Sequence, residues 1–598
     1  MTGDRPVLIY DGRCSFCGIW VRYWQRLTGE RVSYAPSQEV SAQFPEISQS
    51  EFQRAVWLVY PDGRRASGAR AAYELMAHAA GKSWPLWLYS NVPGLDSISE
   101  GAYRFIAGHR NFFYQVTRIF WGKEIHPASY RLTRSLFLKG VAAVFLIAFL
   151  SMMPQVSGLI GSNGISPAHE YLNAIRDQTG VERYWLLPTL AWIDSSDAFL
   201  RGICWTGSGL AVAVLVGIAP LAALFGMFVL YLSLVSVGQD FLSFQWDVLL
   251  LEVGFAAMLL APRALLPWKA RPAGAVGIWV MRLLVFRLML ESGLVKLLSG
   301  DPSWRSLTAL NFHYQTQPLP TPLAWYANQL PGWFQKFSTA GVFAVELMVP
   351  FLFLMPRRLR IIGAWITIVF QLLIAATGNY TFFNLLTIVL CVALFDDRHL
   401  GKFLPKKFRA ADSEVSTSRR VAILPGALLI VIGMMQLAGM MGAPVSLAME
   451  PAEILHIVNG YGLFAIMTTS RPEILIEGSN DGQDWQEYQF KYKPGDVRQP
   501  PRWVAPYQPR LDWQMWFAAL GRSQDAPWFS RLMERLLEGS PEVLALLAKN
   551  PFPDKPPRFV RAKVYDYRFS DAATRRSTGD WWSRTYTGSY FPEVSLPH

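Results

Sequence analysis

The sequence predicts a polytopic α-helical membrane protein of about nine spans, with a small α/β domain in front and a β-rich domain at the end. Three observations make that prediction. Hydrophobic residues are 52% of the 598 and charged residues 17%, a balance that suits a chain dissolved in lipid better than a soluble enzyme. Apolar stretches close to the ~20 residues that cross a bilayer recur through the middle of the chain. The two ends instead alternate short apolar runs with turn residues.

In the front domain, residues 1–120, Val7-Leu8-Ile9-Tyr10-Asp11 reads as a short buried strand. It runs into Gly12-Arg13-Cys14-Ser15-Phe16-Cys17 and a helical stretch to Leu27. A strand over 32–35, a hairpin over 55–66 turning at Pro61-Asp62-Gly63, and a helix over 68–80 follow. Strand, Cys-x-x-Cys, helix, strand, hairpin and helix is the element order of a thioredoxin-like domain. A thiol at a helix N-terminus has its thiolate stabilised by the helix dipole, which makes Cys14 the attacking thiol and Cys17 the resolving one. A zinc site needs two further ligands and no second Cys-x-x-Cys or Cys-x-x-His lies nearby, so no metal is expected. The polar start, Met1 to Pro6, does not read as a cleavable signal peptide. Residues 84–121 are aromatic and mildly amphipathic, which places them on the membrane surface or against the helical bundle.

The membrane domain, residues 121–441, carries apolar stretches at about 136–154, 201–218, 220–238, 246–262, 276–299, 338–355, 360–377, 379–396 and 421–441, with Pro220 dividing one long run in two. Basic residues test the count. Arg118, Lys123, Arg131, Arg134 and Lys139 precede the first stretch, and Arg263, Lys269 and Arg271 follow the fourth. Arg357, Arg358 and Arg360 follow the sixth, and Arg398, Lys402, Lys406, Lys407, Arg409, Arg419 and Arg420 lie before the ninth. With nine spans all four clusters fall on one face, which the positive-inside rule makes cytoplasmic together with the front domain. The net charge of +12 then reflects topology, and no nucleic-acid partner is expected.

The fifth stretch holds Arg287, Glu291 and Lys296. Ionisable groups in hydrocarbon persist when they pair, face the bundle interior or line a cavity. Arg287 and Glu291 are spaced to pair along one helix face. Two readings stay open: Lys296 snorkels to the head groups beside a structural pair, or the three residues mark a polar binding site buried in the membrane domain. Asn311, His313 and Tyr314 on the following loop are candidates to bind a polar ligand or head group. Asp247, Glu252, Arg282, Glu346 and Gln371 are further intramembrane polar residues, while Cys204 and Cys391 read as packing residues.

The end domain, residues 442–598, shows strand-like runs at 462–468, 473–477, 485–491 and 558–569 and a helix over 528–549, which reads as β-sandwich-like with helical insertions. It contains no cysteine and so no disulfide framework. Trp513, Trp516 and Phe517 form an aromatic cluster suited to a client contact, a membrane-rim anchor or core packing.

Two resemblances add to this. Tyr10-Asp11-Gly12-Arg13-Cys14-Ser15-Phe16-Cys17, with Pro36-Ser37-Gln38 and Asp62-Gly63…Ser67-Gly68-Ala69, resembles the DCC family of predicted thiol-disulfide oxidoreductases, which implies dithiol chemistry at Cys14 and Cys17. Residues 130–598 resemble the lipase maturation factor family through Phe286–Lys296, Gly300-Asp301-Pro302-Ser303-Trp304, Asn311–Pro320, Gly378–Asn384, Asn459–Phe464, Glu477–Gly482 and Gln508–Phe517. That resemblance implies a membrane-embedded factor assisting exported clients, a lipase among them, and the fused front domain points to a bacterial inner membrane. More distantly, Gly293-Leu294-Val295-Lys296-Leu297 with Asp301-Pro302-Ser303-Trp304 is similar to the transmembrane domain of vitamin K-dependent γ-carboxylase. It implies Lys296 as a catalytic base. The alternative function is a membrane enzyme acting on a lipid-soluble or membrane-associated substrate, through either the Cys14/Cys17 dithiol or the buried Lys296. A quinone or lipid is the cofactor class expected, and membrane lipids are expected partners.

Overall fold

The computed structural model describes residues 4–122, 125–266, 274–403, 420–444 and 449–596. Of the basic residues used to count spans, Lys123, Lys269, Arg271, Lys406, Lys407, Arg409 and Arg419 lie outside the described residues.

The front domain follows the expected order. Strands β1 (Val7–Tyr10), β2 (Ser33–Pro36), β3 (Trp57–Val59) and β4 (Arg65–Ser67) form one sheet in the order β2-β1-β3-β4. β1 pairs parallel with β2 and antiparallel with β3. The parallel connection is made by helix α1 (Ser15–Thr28), and α2 (Gly68–Ala77) covers the sheet. Leu8, Leu58, Ala71 and Leu75 are fully buried between sheet and helices. Three helices lead to the membrane: α3 (Trp84–Asn91), α4 (Leu95–Gly108) and α5 (Arg110–Phe120). The end of α5 rests on the bundle, where Arg358 Nη1 donates to the carbonyl of Arg118 at 3.1 Å.

Among the described residues, six helices are long and apolar enough to cross a membrane. They are α6 (Arg131–Met152), α7 (Asp197–Val216), α8 (Pro220–Val237), α12 (Gly332–Phe353), α13 (Arg357–Thr377) and α15 (Arg420–Met440, apolar from Ala422). Pro220 starts its own helix at N1, so the long run is two helices. The other three expected positions hold α9 (Gln245–Ala257), α10 (Ala275–Leu298) and α14 (Phe383–Val392). α9 and α14 have only 13 and 10 residues, and α10 has full length but contains Arg282, Arg287, Glu291 and Lys296. Between α10 and α12 the short helix α11 (Leu310–Thr316) carries His313 and Tyr314.

In the C-terminal region β5 (Pro472–Ser479), β6 (Gln486–Glu487), β9 (Phe559–Phe569) and β10 (Trp582–Val594) form one antiparallel sheet in the order β10-β9-β5-β6. Among the described residues a two-stranded ribbon, β7 (Gln489–Phe490) with β8 (Leu547–Lys549), stands in place of a second facing sheet. The expected strand over 462–468 is irregular chain with Phe464 at φ 56°, because its amides serve the bundle: Gly462 N–H donates to Gln245 Oε1 and Met467 N–H to Asp301 Oδ2. The expected helix over 528–549 ends at Gly539, φ 71°, and the chain returns as β8. Helix α16 (Arg510–Ala519) carries the aromatic motif. This region shares one apolar core with the bundle, in which Phe149 and Trp246 pack with Trp513, Phe529 and Val560.

Gly158, in the short helix Val156–Ile160, marks that seam. A Cβ there would sit 2.4 Å from the backbone oxygen of Glu542, an atom that cannot swing aside. Gly158→Val should therefore cost on the order of 1–3 kcal/mol of overpacking, read as a lowered tryptophan-fluorescence melting temperature in detergent. An unchanged melt would show that the seam is looser than the geometry states.

Candidate functional site

The dithiol is built by the junction of β1 with α1. Cys14 is the N-cap of α1, and its Sγ accepts from the Cys17 N–H at 3.2 Å and from the Cys17 thiol at 2.7 Å. Asp11 Oδ1 accepts from the Arg13 N–H at 3.0 Å and from Gln38 Nε2 at 2.9 Å, and Gln38 Oε1 accepts from the Gly12 N–H at 3.0 Å. A Cβ on Gly12 would meet Gln38 and Pro36 at 2.9 Å, so only glycine lets the two loops close. Arg110, first residue of α5, lies 3.8 Å from Asp11. The hydrogen bond from the Cys17 thiol, with its N–H and the Arg110 charge behind it, outweighs partial burial and lowers the Cys14 pKa to about 6. Cys17 moves upward, because its proton is held by Cys14 and the group is more deeply buried. One thiol is thus an anion at neutral pH and the other stays protonated, the division of roles that thiol–disulfide exchange requires.

Arg287 and Glu291 pair as their spacing predicts, with Nε to Oε1 at 3.0 Å, but the cluster is larger. Glu252 of α9 accepts from Arg287 Nη1 at 3.0 Å, from the Asn459 N–H at 2.8 Å and from the Tyr461 hydroxyl at 2.6 Å. Arg287 Nη2 donates to the Asn459 carbonyl, and the Tyr461 N–H to Glu291 Oε2. The Asn459-Gly460-Tyr461 segment is therefore plugged into the bundle. A second plug is fully buried: Arg510 bridges both oxygens of Asp247 at 2.9 Å, and Tyr231 donates to the same carboxylate at 2.5 Å. The sequence marks Asp247 and Glu252 as polar but assigns them no partner, since Arg510, Asn459 and Tyr461 lie more than 200 residues away and Arg287 and Tyr231 stand on other helices.

Lys296 does not snorkel. All three of its protons have acceptors: the Ser292 carbonyl at 2.9 Å and the two Glu346 oxygens at 3.0 and 2.9 Å. Both side chains are buried. Glu346 sits in a π-helical turn, Ala344–Met348, inside α12. The legible signal was Pro350, which has no N–H to return to the Glu346 carbonyl and so favours a widened turn just before it. His313 Nε2 lies 3.0 Å from the Tyr380 hydroxyl, and Tyr314 is half-buried beside it. Asn311 is exposed at the start of α11, away from this cluster. Cys204 and Cys391 are buried singly, and no group of three or more potential metal ligands occurs among the described residues.

The motif on α16 is mostly internal. Trp513 and Trp516 are buried, with Trp513 edge-on to Trp246, while Phe517 is 45% exposed. Phe517 borders a groove of about 580 Å³ with Phe244, Leu463, Ile466 and Leu520, and Ile466 is 72% exposed.

A helical membrane bundle with a C-terminal region locked into one end and a dithiol domain resting on the other defines a polytopic membrane protein with an appended redox-type domain. Family models agree with each part: the DCC1-like thiol-disulfide oxidoreductase matches residues 8–116, the lipase maturation factor transmembrane domain 132–402, and the lipase maturation factor C-terminal domain 457–592. Lipase maturation factor 2 of Homo sapiens is 37% identical over 596 residues, covering 78% of this chain and 83% of its own. Lipase maturation factor 2 of Gallus gallus is 36% identical, covering 78% and 82%, and lipase maturation factor 1 of Bos taurus 36%, covering 79% and 90%. The chain belongs to the lipase maturation factor family. No solved structure matches it.

Alkylation of Cys14 by iodoacetamide should titrate with a midpoint near pH 6, rising above it, and Arg110→Ala should move the midpoint upward. A wild-type midpoint near the ~8.5 of a free cysteine would overturn the assignment of Cys14 as the activated thiol. Arg287→Ala strands two buried carboxylates and should destabilise the protein by roughly 3–5 kcal/mol. Limited proteolysis should then cut the C-terminal region at a protease concentration that leaves wild type intact; equal resistance would mean the cluster is not an anchor.

Proposed function

We propose that this chain is a membrane-embedded maturation factor whose C-terminal face engages exported client proteins, a lipase being the client class its relatives' names point to. The observation that carries the reading is the build of that face. The buried Arg510–Asp247 ion pair and the hydrogen bonds of Asn459 and Tyr461 to Glu252 and Glu291 fix it to the bundle end opposite the dithiol domain, and it presents Ile466, Phe517 and Leu520 around an aromatic-floored groove. A rigid aromatic patch in a groove is the composition of a protein-binding hot spot.

In this reading the membrane is crossed nine times, α9, α10 and α14 included, with the dithiol domain on the cytoplasmic side. Support comes from the chain's course: Arg131, Arg357 and Arg358 gather at the dithiol end through Asp397, Asp396 and Arg118. Asp247, Asn379 and Gln155 meet residues 502–510 at the other end. α9 and α14 can be short because the C-terminal region and the polar ends of neighbouring helices surround them. The dithiol supports a separate thiol–disulfide exchange activity: the Cys14 thiolate attacks a substrate disulfide, and Cys17 then displaces the mixed disulfide, leaving the substrate reduced and the pair oxidised.

The test is co-expression with a client lipase, measuring active secreted enzyme. Ile466→Asp with Phe517→Asp should lower it on the order of tenfold, while Cys14→Ser should leave it unchanged. Full client activity from the double variant would remove the groove from the function.

A further inference from the structure

Between α12 and α13, closed at one end by α11, lies a cavity of about 910 Å³. That is near the top of the roughly 300–1,000 Å³ range of small-molecule sites. Its walls are apolar, and Phe337, Val369 and Leu373 on its rim are 53–70% exposed. Both helices are of membrane-crossing length, so the cavity opens sideways onto the apolar surface that faces lipid. Gly341 stands in its wall, and a Cβ added there meets nothing within 4 Å.

The polar groups lining this space carry no unmatched charge. Lys296 and Glu346 neutralise one another, and the three lysine protons are engaged. Two groups are under-satisfied. Gln317 donates through Nε2 to the Thr377 carbonyl, so its Oε1 accepts the Tyr380 proton at 2.9 Å. The Tyr380 oxygen must then accept from His313 Nε2–H, which leaves Nδ1 a lone acceptor, buried and without a partner. Gln371 Oε1 accepts from Asn384, whereas its Nε2 finds only the Met289 sulfur at 3.8 Å. Buried polar atoms are normally paired, and a wall that leaves one acceptor and one donor wanting calls for a ligand with a donor and an acceptor of its own.

We propose that this cavity binds an uncharged glyceride-type lipid. The acyl chain lies against α12 and α13, and a hydroxyl and an ester carbonyl reach the His313 and Gln371 groups. A carboxylate or phosphate head is disfavoured, because accepting it would require Lys296 to leave Glu346 buried and unpaired. A neutral head carries no such cost. The proposal is independent of any client, and its readout does not involve client maturation.

The experiment is photolabelling of the full chain in phosphatidylcholine nanodiscs. The probes are a diazirine-bearing monoacylglycerol and, in parallel, the diazirine fatty acid of the same chain, with the adducts mapped by mass spectrometry. The expected result is glyceride adducts on the facing walls of α12 and α13, about tenfold above the fatty acid, and competed by unlabelled glyceride. Gly341→Trp should abolish them, and Gly341→Leu, a smaller intrusion, should reduce them severalfold with the wild-type melting temperature. Gln371→Leu should narrow the preference for glyceride over fatty acid. Equal labelling by the two probes, or adducts that survive both Gly341 variants, would overturn the proposal.

Discussion

The structure depends on pairing charge where water is absent. Asp247, Glu252 and Glu291 are each at most 3% exposed inside the bundle, and an isolated carboxylate in such surroundings would neutralise or force the helices apart. Their compensation is brought mainly from outside the bundle, by Arg510, Tyr461 and the Asn459 amide. Arg287 and the Tyr231 hydroxyl are the local partners. The acidic residues of the bundle and the basic and amide groups of the C-terminal region are thus two halves of one folding unit, which is why their apolar core is continuous.

Lys296 and Glu346 follow the same logic within the membrane domain, with a difference. Their pair uses every lysine proton and closes the site to ions, yet it stands at the edge of an open cavity. Neutralising a pair while leaving space beside it gives a wall that tolerates polar neighbours without attracting charged ones. The π turn at Ala344–Met348 places Glu346 there, at the expense of regular helix geometry just before Pro350.

Local features were legible in the sequence; long-range ones were not. The element order of the front domain, the place of Cys14 at a helix start, and the Arg287–Glu291 pair all follow from spacing of a few residues. Runs of apolar residues locate the helices, but runs alone do not separate a crossing helix from the 10 residues of α14. Nothing near Asp247 indicates Arg510, 263 residues further on. The stretch 462–468 alternates like a strand and yet is not one, since its amides find side-chain acceptors in the bundle before they can find a neighbouring strand. Trp513 and Phe517 stand four apart on one helix, but only the packing of Trp246 decides that the first is core and the second surface.

The plug of Arg510 into Asp247 has a consequence for how the chain is made. Synthesis proceeds from the N-terminus, so α9 is made, with two carboxylates, long before residues 459–510 exist. Until they emerge and dock, the half-made bundle carries acid in its interior without its main counter-charge. Biogenesis of this protein therefore has a vulnerable interval, set by translation time, during which an insertase or chaperone that shelters polar transmembrane segments would decide yield. A chain truncated before Tyr461 would be left permanently in that interval.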